Sequence, residues 1–178
     1  MKLSFSLLCL ASAAALAACG TATETAAEKM IEAQIAKDGT QAKVDMSSGG
    51  MKITTTDAAG NVSQMEMGTA KVSEADLGLP FYPGTKPKEG EMTKISSPEG
   101  SAVTVILHSD DAPDKVAAFY RDQLKANSAG KQFTDMNTGA AHMLMLGDDK
   151  NKLFTQVTVT QAAKGSDIQI VANKGGTR

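Results

Sequence analysis

The sequence predicts an α+β protein: antiparallel sheets with one helix per half, in the order α-β-β-β followed by β-β-α-β-β-β. Three observations point there. Apolar residues recur at helical three-and-four spacing in two stretches beyond residue 20, they alternate with polar residues elsewhere, and short Gly/Asp/Asn/Ser clusters separate the alternating runs. Strand-rich halves that each carry one helix fit a sheet with a helix packed across it.

The elements follow in order. Thr25-Ala26-Ala27-Glu28 has capping-box spacing, so a helix is expected from Thr25, with Ala27, Met30, Ile31 and Ile35 on its apolar stripe and Gly39 as its stop. Ala42, Val44 and Met46 then alternate with polar residues, Ser47 to Gly50 turns the chain, and Met51, Ile53 and Thr55 alternate again. A turn at Asp57 to Asn61 leads into a third strand near Val62 to Val72, and residues 73–79 read as a connector. Leu79-Pro80-Phe81-Tyr82-Pro83-Gly84 is a tight-turn signal. Met92 to Ser96 and Ala102 to His108 form a hairpin around Ser97 to Gly100, its second strand apolar on both faces and therefore central. Ser109 or an adjacent Asp caps the second helix, with Pro113 in its first turn and Val116, Phe119, Tyr120 and Leu124 on one face. Strands near 141–146, 153–161 and 167–172 complete the order, separated by turns at 148–152 and 164–166.

Composition bounds function more than it assigns it. The chain has 178 residues, 18 Lys plus Arg against 20 Asp plus Glu, and net charge -2, so it lacks the basic excess that binds nucleic acid. Aromatics make up 4% with no Trp, which leaves little for base-stacking or sugar-stacking surfaces, while ten Met is a high count.

Met1-Lys2 precede an apolar run from Leu3 to Leu16, broken only by Ser4, Ser6 and Ser12 and too short to span a membrane. It ends in Leu16-Ala17-Ala18-Cys19-Gly20, which resembles the lipobox of bacterial lipoproteins. The resemblance implies cleavage between Ala18 and Cys19 and acylation of Cys19 with diacylglycerol and a further acyl chain such as palmitate, a stable membrane anchor. Cys9 follows the bulky Leu8 and would leave too short an apolar core, so it is the poorer acceptor. The expected organisation is a signal peptide at 1–18, a lipidated tether at 19–25, a small α-β-β-β unit at 26–78, an α+β unit at 79–173 and a tail at 174–178. With Cys9 removed and Cys19 acylated, no thiol remains for a disulfide. Gly20 in place of an Asp favours the outer membrane, facing the periplasm, if the host is Gram-negative.

The turn at 79–84, followed by Ser109-Asp110-Asp111-Ala112-Pro113-Asp114-Lys115-Val116-Ala117-Ala118-Phe119-Tyr120 and Leu124, resembles a pattern in uncharacterised bacterial lipoproteins and exported proteins, over about residues 79–172. His108 stands where Thr is common there. The resemblance implies no assigned activity.

Chemistry-bearing residues are sparse. His108 and His142 have neither metal-ligand spacing nor a motif, and no nucleophile elbow or phosphate-binding glycine loop occurs. Met65, Met67, His142, Met143 and Met145 have the ligand types that select Cu(I), but alternate spacing is also what core packing of a strand requires, and packing is the preferred reading. Asp110, Asp111 and Asp114 lack the calcium-loop pattern and suit a helix start. Phe119 and Tyr120 could line a small apolar or lipid-binding groove between helix and sheet. The sequence therefore leads to a non-enzymatic, lipid-anchored binding or scaffold module with no metal and no cofactor, held to a membrane and open to an envelope protein partner. A carrier or sensor of a small apolar ligand or Cu(I) is the alternative, and a cryptic hydrolase the weakest reading.

Overall fold

The computed structural model of the protein describes residues 18–36, 40–47, 49–88 and 90–176, with side chains from residue 24 onward. The signal segment through residue 17 and the expected stop at Gly39 lie outside the described residues.

Helix α1 (Ala18–Ile35) leads into strands β1 (Gln41–Asp45), β2 (Met51–Thr56) and β3 (Val62–Met67), and then helix α2 (Glu74–Leu77). Strands β4 (Met92–Ser97) and β5 (Gly100–Ser109) precede helix α3 (Pro113–Ala126). Strands β6 (Gln132–Asn137), β7 (Ala141–Asp148), β8 (Leu153–Gln161) and β9 (Ser166–Gly175) follow. All nine strands join one antiparallel sheet in the order β1-β2-β3-β4-β5-β9-β8-β7-β6.

The expectation of separate sheets is thus corrected: the α+β halves share a single sheet, joined where β3 pairs with β4 and Met65 faces Ile95. Two glycines make the junction. Gly68 N–H donates to Met92 O at 2.9 Å and Gly90 N–H to Gly68 O at 3.0 Å, both glycines having positive φ. The excursion between them returns beside its departure point, so β4 continues the ladder that β3 ends.

Five further expectations change. Helix α1 spans Ala18–Ile35 among the described residues, so the 19–25 stretch read as a tether is helical and Thr25 is interior to the helix. Residues 73–79 contain α2, closed by a capping box between Ser73 and Asp76 and by Gly78 in the left-handed conformation. Helix α3 has Ala112 at its N-cap with no side-chain cap, and Pro113 supplies the first turn. Strand β6 was missed, so the second half reads β-β-α-β-β-β-β; as an edge strand it turns mostly exposed residues outward and gives a weak pattern. Lys174 and Gly175, read as tail, pair with Ser101 and Gly100.

The core lies on one side of the sheet. Val116, Tyr120 and Leu124 of α3 are fully buried against Val105, Leu144, Val157 and Ile170, and Leu77, Leu79 and Tyr82 of the excursion complete the layer. Strand β5 is fifth of nine. Beyond β4 the same side becomes polar. Asp45 pairs in register with Lys52 and Lys52 with Glu66, Glu66 with Lys94, and Lys94 reaches Asp76 at 2.8 Å. This ladder of alternating charge replaces apolar contact with cross-strand attraction. At the outer edge, Val44 N–H donates to Glu32 Oε1 at 2.9 Å and Met46 N–H to Glu28 Oε1 at 2.8 Å, so α1 side chains satisfy amides that edge strand β1 would otherwise expose.

Candidate functional site

The start of α3 is fixed by a polar lock. Tyr82 Oη donates to Asp111 Oδ2 at 2.7 Å, Lys115 Nζ to Asp111 Oδ1 at 2.9 Å, and Ser166 Oγ to Asp111 O at 2.6 Å. Asp111 N–H donates to Ser109 Oγ at 3.1 Å. Behind it the Tyr82 ring meets Phe119 edge-on at 5.2 Å, and Phe119 meets Tyr120 edge-on at 5.0 Å. The turn at 79–84 and the segment 109–124, which carry the resemblance to exported proteins, therefore converge on one cluster. Its chemistry is that of a clamp. Burial, then the Asp111 carboxylate, pushes the Tyr82 phenol up to about 12, so it stays a neutral donor. The Tyr82 hydrogen bond and then Lys115 hold Asp111 below the usual carboxylate range. The Tyr120 hydroxyl is fully buried without a hydrogen-bond partner of ordinary geometry. Burial raises its pKa well above the ordinary phenol value, and the Tyr82 backbone beside it offsets only part of that.

At the other end of α3 the helix and sheet separate. A cavity of about 130 Å³ opens there, lined by Leu77, Leu79, Leu124, Leu146 and Leu153 together with polar residues that include Asn127, Lys131, Asp148 and Thr155. Drug-sized ligands occupy roughly 300–1,000 Å³, so this space suits a small molecule or a few carbons of a longer one. Lys174, on the rim, donates to Ala75 O at 2.6 Å and ties α2 to β9. Asp148 shares the lining with Lys131, and Asn151, chiefly through its side chain, holds the Asp148 carboxyl below the usual range. Phe119 and Tyr120, expected to line such a groove, belong instead to the aromatic cluster with Tyr82. A larger groove of about 520 Å³ lies over Lys52, Glu66 and Lys94, but the charge ladder already satisfies those groups within the protein.

The histidines are apart. His142 Nε2 lies 2.9 Å from Asp114 Oδ1; the ring is buried beneath α3 and its Nδ1 has no partner, while the Asp114 carboxylate is almost fully exposed. His108 Nδ1 lies 3.0 Å from Asp167 Oδ1 on the opposite side of the sheet, both half exposed. Neither pair lines the leucine cavity. The three aspartates also diverge, Asp110 to Lys164, Asp111 to Tyr82 and Lys115, and Asp114 to His142.

The copper-type residues do not converge. Met65 and Met67 lie on β3 and Met143 and Met145 on β7, five strand spacings away, or about 24 Å along the sheet. His142 points to the other side from Met143 and Met145. The packing reading of these methionines also changes: all four are half-buried on the side away from α3, outside the apolar core. Among the described residues no group of three or more His, Cys, Asp or Glu could hold a metal ion, and no helix is long and apolar enough to cross a membrane. Of Ala18 and Cys19 only the helical backbone is described.

Sequence reasoning missed the cavity because its leucines come from α2, the following turn, α3, β7 and β8. No local spacing links them. The Ser73-x-x-Asp76 and Gly78 signals could have found α2, and so one wall.

Comparison with known proteins gives one match, to a family model. No curated protein and no solved structure matches the chain. Residues 90–175, just under half of the chain and covering β4 through β9 with α3, match the family described as START domain-like, which places the leucine cavity's α3, β7, β8 and β9 walls inside the matched segment.

Proposed function

We propose that this chain is a lipid-anchored protein of the cell envelope whose folded part is a non-catalytic binding module. Its ligand is a small molecule with an apolar portion and a polar or anionic end. The observation that carries the binding reading is the leucine-walled cavity at the open end of α3, within a segment whose START domain-like match is compatible with a ligand-binding domain. Apolar walls supply affinity by removing ligand carbon from water, and Lys131 in the lining supplies an orienting charge. The non-catalytic reading is supported by the separation of both His–Asp pairs from that cavity. Anchoring rests on Leu16-Ala17-Ala18-Cys19, and Gly20 favours the outer membrane facing the periplasm in a Gram-negative host.

Native mass spectrometry of the protein purified from its expressing cells, followed by calorimetric titration with straight-chain carboxylates of four to eight carbons, tests the binding reading. A retained or titratable ligand lost in Lys131→Glu supports it. Crosslinking to an envelope protein with no small ligand bound would make the module a scaffold. Cys19→Ser tests the anchor: the variant is expected to leave the membrane fraction and lose its acyl mass, and retention of both would refute the anchoring site.

A further inference from the structure

The side of the sheet away from α3 is a second surface with its own chemistry. Residues paired in an antiparallel ladder share a side. One row on this side runs from Met51 through Met67, Thr104 and Val171 to Met145. The next runs from Ile106 through Gln169, Thr158 and Met143 to Met136. Among the described strand residues that point this way, only His108 and Asp167 are ionisable, and they sit together at one end. The same strands carry Asp45, Lys52, Glu66, Lys94, Asp135 and Lys174 on the α3 side. In a chain with 21% charged residues this asymmetry is large. Loss of charge with gain of Met distinguishes the centre of a protein interface from ordinary surface.

We propose that this face binds a second copy of the chain, sheet against sheet. Three arguments select that occupant. Leaving out β1, whose Val44 on this side is already buried, eight strands about 4.8 Å apart, with six to ten residues each at about 3.3 Å, give a face of roughly 34 by 20 Å, or about 700 Å², close to the area each partner contributes to a standard stable interface. A face with few charges meets its own twofold copy with little like-charge repulsion: His108 and Asp167 lie 3.0 Å apart, and Lys88 and Glu91 at its border lie 3.3 Å apart. A bilayer is the poorer occupant, because the strands put no Lys or Arg on this side, Lys88 at its border lies 3.3 Å from Glu91, and the one strand aromatic on it is Phe154, whereas membrane-surface segments carry basic and aromatic residues.

Gln169 is exposed on this face, so Gln169→Lys can fold normally while placing like charges across the interface. In sedimentation equilibrium the full chain in mild detergent should have twice its monomer mass. Gln169→Lys should weaken the dimer about tenfold or more, with its circular-dichroism melt unchanged. In expressing cells, Thr104→Cys should give a dimer with a short bismaleimide, beyond the parent chain's background, and Lys115→Cys on the α3 side should not. A monomeric parent chain, a dimer indifferent to Gln169→Lys, or crosslinking only through Lys115→Cys would overturn the proposal. Monomers whose Cys19→Ser variant binds phosphatidylcholine vesicles would assign the face to lipid and also overturn it.

Discussion

Tyr82 Oη donates to Asp111 Oδ2 at 2.7 Å, tying the turn before β4 to the first residues before α3 across 29 positions of sequence. The turn at 79–84 and the segment before α3 each supply half of the clamp that seats α3 on the sheet. Tyr82→Phe keeps the aromatic packing and removes the donor, so it should lower stability by about 1 kcal/mol, the net value of a typical hydrogen bond. Urea denaturation measures it; an unchanged midpoint would show that the clamp contributes nothing.

Tyr120 gives the opposite expectation. Its hydroxyl is buried without a hydrogen-bond partner of ordinary geometry, and an unsatisfied buried polar group costs about 1–3 kcal/mol. Tyr120→Phe should therefore be neutral or stabilising by up to about 1 kcal/mol under the same urea titration. A loss of stability would mean that the Tyr82 backbone or a buried water satisfies the hydroxyl.

Asp76 links α2 to β4 through Lys94 at 2.8 Å, and the Lys94 and Ser73 hydrogen bonds hold its carboxyl well below the usual range. A carboxylate with a depressed folded pKa adds stability above its unfolded pKa of 3.8, and that contribution is lost as pH falls through the lower folded value. Asp76→Asn should be less stable than the parent at pH 7, and the difference should shrink as pH drops below about 4. Thermal melts across pH 2–7 are the check, and a gap that widens in acid would contradict the assignment.

Gly165 lets the β8–β9 turn approach the start of α3. A Cβ there would lie 2.0 Å from Ser109 O, and φ is +73°. Gly165→Ala should cost more than about 2 kcal/mol, since it adds a backbone clash to left-handed strain. Wild-type stability would require a relocated turn, visible as altered amide shifts at Ser109 and Asp110.

Glu28 and Glu32 protect the β1 edge. In the Glu28→Ala/Glu32→Ala double variant, the amides of Val44 and Met46 should exchange with deuterium markedly faster, and the chain should aggregate more readily through the uncovered strand. Unchanged protection at both amides would refute the capping role.

Much of the fold was legible because local signals and tertiary demand agree. The hairpin of β4 and β5 and the buried face of α3 at Val116, Tyr120 and Leu124 follow from periodicity, since side-chain direction in helix and strand is fixed by backbone geometry. The Leu16-Ala17-Ala18-Cys19 pattern and the charge balance belong to the sequence for a similar reason: each depends on composition and neighbours in the chain. Strand β6 stayed hidden because an exposed edge places no apolar demand on its alternating residues. Tertiary structure alone decided that the halves form one sheet, that Met65 and Met143 stand strands apart on the side away from α3, and that five leucines share the lining of one cavity with Lys131. Each is a relation between strands or helices distant in the chain, set by the Gly68–Gly90 closure and the seating of α3, and no local periodicity encodes such a pairing.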